Sequence, residues 1–157
     1  MQREPVATLH VHLATALVRR AGRVLLVASR YPNHPQPLWN LPGGRQQPGE
    51  LLADTAVREL CEETGLRAAV RDLCYVSESY DRHVHFINTT FAVDAEGELA
   101  RGHVEGDHVE DVAWVPIEEL AERLTVRVVR EPLLAFLERE RRYAGYAEAG
   151  ITIEFPD

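Results

Sequence analysis

The chain has 157 residues, of which 25 are Asp or Glu and 17 are basic, for a formal net charge of −8. That length suits one domain with a sound core and is short for two, and the acidic balance argues against a partner that is a nucleic-acid polymer, because neutralising a phosphate backbone requires a basic face. Every basic residue is arginine, which excludes Schiff-base chemistry through lysine and leaves arginine forks available for phosphate.

The opening "MQREPVATLHVHLATALVRR" lacks the basic start and unbroken apolar run of a signal peptide, since His10 and His12 interrupt it. Nothing approaches the roughly 20 apolar residues of a membrane span, so a soluble cytoplasmic protein without a membrane partner is expected. Thr8 to Val18 is predicted as a strand and "RVLLVAS" as another, with the tight link "RRAG" making a hairpin of the two. A proline-rich loop, "YPNHPQP", leads to "LWNLPGG", a short strand stopping at paired glycines. A helix is predicted from Leu51 to Thr64. Then "LRAAVRDLCYVSESY" and "HVHFINTTFAVDA" are two further strands, the second rich in β-branched and aromatic residues.

"EGELARGHVEGD" is a charged, glycine-punctuated loop, "VAWVP" a short strand and "IEELAERL" a short helix. "REPLLAFLERERRYAGY" forms an amphipathic helix with Pro132 in its first turn, and "GITIEFPD" a last edge strand or extended arm. The order implies one domain over residues 1–157, a mixed sheet with helices on its faces, and an α/β class.

The helix from Leu51 to Thr64 poses a conflict. Leu52, Ala53, Ala56, Val57 and Leu60 form its apolar arc. Glu62 falls nearly opposite, beside Arg58, whereas Glu59 and Glu63 project at the margin of the arc, where an uncompensated carboxylate is costly. A hard divalent cation resolves this, because Mg²⁺ prefers carboxylate oxygens and commonly bridges to substrate phosphates. Ahead of the helix, Gly43 and Gly44 let a ligand approach the main chain, and Arg45 reaches an anion at the same mouth. Of the two cysteines, Cys61 is expected to be a small buried hydrophobe of the helix.

From Gly44 the chain runs five residues to Glu50, seven more to Arg58-Glu59, then Leu60, one residue, Glu62-Glu63, one residue, Gly65 and Leu66. This pattern resembles the Nudix box of the Nudix hydrolases, with no position missing. The resemblance implies an α/β/α sandwich with a mixed central sheet. It makes Glu59, Glu62 and Glu63 the carboxylates that coordinate Mg²⁺ or Mn²⁺, puts Glu50 near the same metals, and has Arg58 orient the glutamates without touching substrate. The implied reaction is hydrolysis of a nucleoside diphosphate linked to another moiety, by water attack at phosphorus.

A further carboxylate takes the water's proton in such a scheme. Glu110, just ahead of Trp114, is preferred over Glu105, Asp107 and Asp111, with a box glutamate as the alternative. Trp39 is a candidate to stack on a base, against core packing; the pairs His10/His12 and His83/His85 are candidates for ring or metal binding, against ordinary strand positions. The absence of proline between Pro48 and Pro116 counts against the ADP-ribose pyrophosphatases that carry one shortly after the box. A nucleoside triphosphate or related small nucleotide is the expected substrate, with dinucleoside polyphosphates, nucleotide sugars and a non-catalytic ligand-sensing module as alternatives. Monomer and homodimer both stay open.

Overall fold

The structure is a computed structural model that describes residues 8–99 and 108–154. β1 (Leu9–Leu17), exposed at its start and buried from Ala14 to Leu17, pairs in parallel with β7 (Val84–Glu96) and antiparallel with the short edge strand β5 (Gly43–Arg45). β7 pairs antiparallel with β6 (Arg67–Asp81), and β6 in parallel with β9 (Tyr143–Tyr146), completing a mixed five-stranded sheet in the order β5-β1-β7-β6-β9. A second, antiparallel sheet joins β2 (Arg19–Arg20), β3 (Arg23–Ser29) and β4 (Leu38–Asn40), with β8 (Val109–Pro116) on β3.

Because side chains alternate along a strand, the two faces of the mixed sheet carry different cores. Ala16, Val18 and Val93 meet Leu60 of α1 (Leu52–Thr64) on one face. Leu17, Tyr75 and Ala92 pack on the other with Leu133 and Phe136 of α3 (Arg127–Arg139), beside Leu120 of the short α2 (Leu120–Arg123). The mixed sheet between helices is the expected α/β architecture. Among the described residues no helix is long and apolar enough to cross a membrane.

Three expectations are corrected. The hairpin across "RRAG" does not join β1 to β3: only Arg19–Arg20 folds back on Arg23–Val24, and β1 belongs to the other sheet. Pro132 lies a turn deeper than expected because α3 begins at Arg127, where the Val129 and Arg130 amides both donate to Val126 O. That helix also stops early. Glu140 takes a left-handed conformation at φ 53°, Glu140 N donates to Phe136 O and Arg141 N to Ala135 O, closing the end without the customary glycine, so that Tyr143–Tyr146 is released to be strand β9.

Candidate active site

The paired glycines do not end a strand; they are strand β5, held against Ala14 and Thr15 of β1. This brings their backbone under α1. The Gly43 amide donates to Glu63 Oε1 at 2.7 Å, and a Cβ built on Gly44 would stand 2.5 Å from both Cδ and Oε1 of Glu59. Only glycine leaves that carboxylate its place. As the helical spacing predicts, Glu63 is buried at 3% exposure and Glu59 is shielded, while Glu62 is 45% exposed. The buried arc is turned from the expected one: Thr55 is fully buried, and Cys61, expected inside, is exposed.

Arg58 gathers the carboxylates. Its Nε donates to Glu50 Oε2 at 2.7 Å and Nη2 to Glu50 Oε1 at 3.1 Å, a two-pronged fork, while Nη1 reaches Glu59 Oε1 at 3.0 Å and Glu62 at 3.2 Å. Nη2 also donates to Arg45 O at 3.1 Å, tying the guanidinium to β5. Glu50 Oε1 further accepts the Thr55 hydroxyl at 2.7 Å and the Gln47 amide at 3.1 Å. The Arg58 fork, helped by these donors, holds the Glu50 carboxyl down to about 2. Thr55 was not singled out in the sequence; the signal was a hydroxyl on the buried arc, five residues after Glu50.

The donor chemistry suits a hard divalent cation. Glu59, Glu62 and Glu63 offer carboxylate oxygens on one helix, and the Gly44 hydrogen leaves Glu59 room. Glu50 Oε1 is saturated by three donors, and among the described residues Oε2 meets only Arg58 Nε. As the side chains stand, Glu50, Glu59 and Glu62 converge on Arg58 while Glu63 accepts the Gly43 amide, and among the described residues no three His, Cys, Asp or Glu surround a common metal point.

A cavity of about 160 Å³ opens from Gly43 and Gly44 across the α3 face of the sheet. Its floor is polar: Thr15 Oγ1 lies 2.7 Å from Thr90 Oγ1 and 3.2 Å from Asn88 Oδ1, and Asn88 Nδ2 donates to Thr90 at 3.0 Å. Leu13, Phe86, Val126 and Val129 make apolar walls. The sequence reading missed this floor. Its trace is "INTT", three consecutive polar residues between the apolar runs Phe86-Ile87 and Phe91-Ala92-Val93.

Other candidates sit elsewhere. Glu110 stands at the start of β8 with its carboxylate forked by Arg30, whose Nη2 donates at 3.0 Å and whose Nε also contacts it; this holds the carboxyl below its usual range. Glu110 does not line the cavity, and Glu105 and Asp107 lie outside the described residues. Trp39 packs on the core with the Arg123 guanidinium 4.8 Å above its ring, and its neighbours Asn40 and Leu41 line the cavity in its stead. His83 lies in the β6–β7 turn. His10 and His85 face each other across β1 and β7 with Nδ1 atoms 3.2 Å apart, and Glu78 holds His85 Nε2 at 2.8 Å.

Known proteins carry related sequences and folds. The "Putative mutator protein MutT4" of Mycobacterium tuberculosis is 36% identical over 113 residues, covering 67% of this chain but only 43% of that protein. An ADP-ribose pyrophosphatase of Methanocaldococcus jannaschii is 36% identical over 101 residues, 60% of this chain and 59% of that one. The crystal structure of a MutT NUDIX hydrolase from Burkholderia pseudomallei superposes with a TM-score of 0.65 at 27% identity, over 80% of this chain and 96% of its own. The family model described as the NUDIX domain matches residues 8–137. With that model covering most of its length, the chain belongs to the NUDIX domain family.

Proposed function

We propose that this single domain is a divalent-metal-dependent pyrophosphohydrolase, cleaving a phosphoric anhydride in a nucleoside diphosphate linked to another moiety, with a nucleoside triphosphate or related small nucleotide as substrate. The observation that carries the proposal is the junction at β5: Gly43 and Gly44 touch Glu63 and Glu59 on one side and line the cavity on the other. A diphosphate at the glutamates therefore has its attached moiety within reach of the cavity.

In this reading Glu59, Glu62 and Glu63 hold Mg²⁺, or Mn²⁺ in its place, and Glu50 lends at most Oε2. When bound, the ion supplies charge neutralisation of the diphosphate and acidifies a water. The protein's own work is positioning, which is most of what phosphoryl transfer demands. Arg58 fixes the carboxylates relative to β5. The Gly43 and Gly44 backbone admits the phosphates closely, and the Arg45 guanidinium steadies them. Glu110 is the proposed proton acceptor; Arg30 holds its carboxyl below the usual range, and it must leave that fork to act.

Chromatography of products from a panel of nucleoside triphosphates, dinucleoside polyphosphates and nucleotide sugars, run in heavy-oxygen water, tests the proposal. Label incorporated into a phosphate product supports water attack at phosphorus. Absence of any Mg²⁺-dependent cleavage across the panel contradicts it and favours the ligand-sensing alternative.

A further inference from the structure

The residues Ala149–Glu154 follow β9 and have no part in the scheme above. They join no strand, yet both ends are stitched down. Ala149 N donates to Tyr80 O at 2.9 Å, and the Thr152 hydroxyl to Asp81 Oδ1 at 3.0 Å, anchoring the segment to the end of β6. Asn33 Nδ2 donates to Thr152 O, His34 Nε2 lies 2.8 Å from the same oxygen, and Glu154 N donates to Asn33 Oδ1 at 2.9 Å, anchoring it to the proline-rich loop. Such fastening pairs the Ala149 and Glu154 amides and the Thr152 carbonyl, backbone groups that an unpaired strap would otherwise leave to water.

Ile151 and Ile153 line the cavity, while the intervening Thr152 provides the latch. The two isoleucines share the cavity's lining with Phe86 and Val126, and the volume of about 160 Å³ matches the scale of an apolar cavity that takes one aromatic ring. The charge at this end is one-sided. Glu78 and Asp81 line the cavity, and among the described residues none of the lining side chains is cationic.

We propose that Ala149–Glu154 is a specificity wall: Ile151 and Ile153 limit the size of the moiety beyond the diphosphate, and Asp81, to which the wall is latched, refuses a negatively charged one, so that an uncharged flat ring is admitted. Juxtaposed like charges in a shielded cleft are a standard means of rejection, and Ser77 and Asn88 offer the ring's polar edge its hydrogen-bond partners. The inference rests on the reading that the diphosphate lies at the glutamates, but it is tested without one.

The test is titration of the full chain, free of divalent ions, with nicotinamide and with nicotinate, a neutral and an anionic ring of nearly equal shape, following backbone amides by heteronuclear NMR. Nicotinamide should shift the amides of Ala149–Glu154, Ser77 and Asn88, and nicotinate should bind about tenfold more weakly. Asp81→Asn should narrow that gap. Ile153→Trp should abolish the nicotinamide shifts; should it not fold, Ile151→Ala should weaken them severalfold by opening the wall. Equal binding of the two rings, shifts confined to residues away from the wall, or no shifts with either ring would overturn the proposal. A chain that hydrolyses nucleotides yet shows no shifts keeps the function and loses the wall, and the reverse result does the opposite.

Discussion

The carboxylate of Glu59 stands where a side chain on Gly44 would have to be, with Cδ 2.5 Å from the Cβ position. Gly44→Ala therefore pushes Glu59 off its place while adding only one methyl group on an edge strand. Turnover should fall by roughly 10²-fold, the effect of misplacing a catalytic group by about 1 Å, with the far-ultraviolet circular dichroism unchanged. An alanine variant of normal turnover would show that Glu59 works from some other position.

Arg58 serves three carboxylates and one carbonyl at once. Arg58→Lys keeps the charge and loses the planar fork, so the melting temperature should drop by roughly 5 °C. In the wild type Mg²⁺ should raise the melting temperature, by stabilising the folded form in proportion to occupancy, and chelation should reverse the gain; Arg58→Lys should gain less. Thermal unfolding with and without Mg²⁺ checks both statements, and curves indifferent to the ion would mean the glutamates do not hold it.

The glutamate pattern was legible because it is local. A helical period fixes which of Glu59, Glu62 and Glu63 is shielded, and neighbours in sequence are neighbours on the helix. What was not legible depended on distant pairing. Arg19–Arg20 and Arg23–Val24 do turn back on one another, but nothing in the turn says that β1 must leave for a different sheet. The cavity floor joins Thr15, Ser77 and Asn88 from three strands whose order is set only by the whole sheet. The helical pattern runs on into Tyr143–Tyr146 because Glu140 stops the last helix by a left-handed turn that signals weakly without glycine.

Glu78 accepts hydrogen bonds from the Tyr143 hydroxyl at 2.6 Å and from His85 at 2.8 Å, and these, the tyrosine first, hold its carboxyl below the usual range. A depressed carboxyl contributes stability that is present above its unfolded value, about 4.3, and is lost as pH falls through the folded one. Tyr143→Phe removes the larger cause, so the wild type and the variant should differ in denaturant midpoint at pH near 6 and converge as pH falls through the depressed folded value. A gap that stays constant across this range would assign the stability to packing of the ring alone.

The fork between Arg30 and Glu110 separates the proton-acceptor candidates. Glu110→Gln should lower turnover by roughly 10²-fold and leave Mg²⁺ affinity largely unchanged. Freeing Glu110 by Arg30→Ala raises its carboxyl pKa towards the ordinary value, so the acidic limb of the pH–rate profile should move to higher pH. Full activity in Glu110→Gln would transfer the role to a box glutamate or to the acidic loop before β8.

The most direct measurement is the rate of nucleotide hydrolysis by Glu59→Gln and Glu63→Gln across a Mg²⁺ titration. Glutamine at Glu63 still accepts the Gly43 amide, so the loop–helix junction survives while the charge is removed. Both variants should fold, and both should lose roughly 10²-fold or more in turnover at saturating Mg²⁺. Wild-type rates in both would contradict the account.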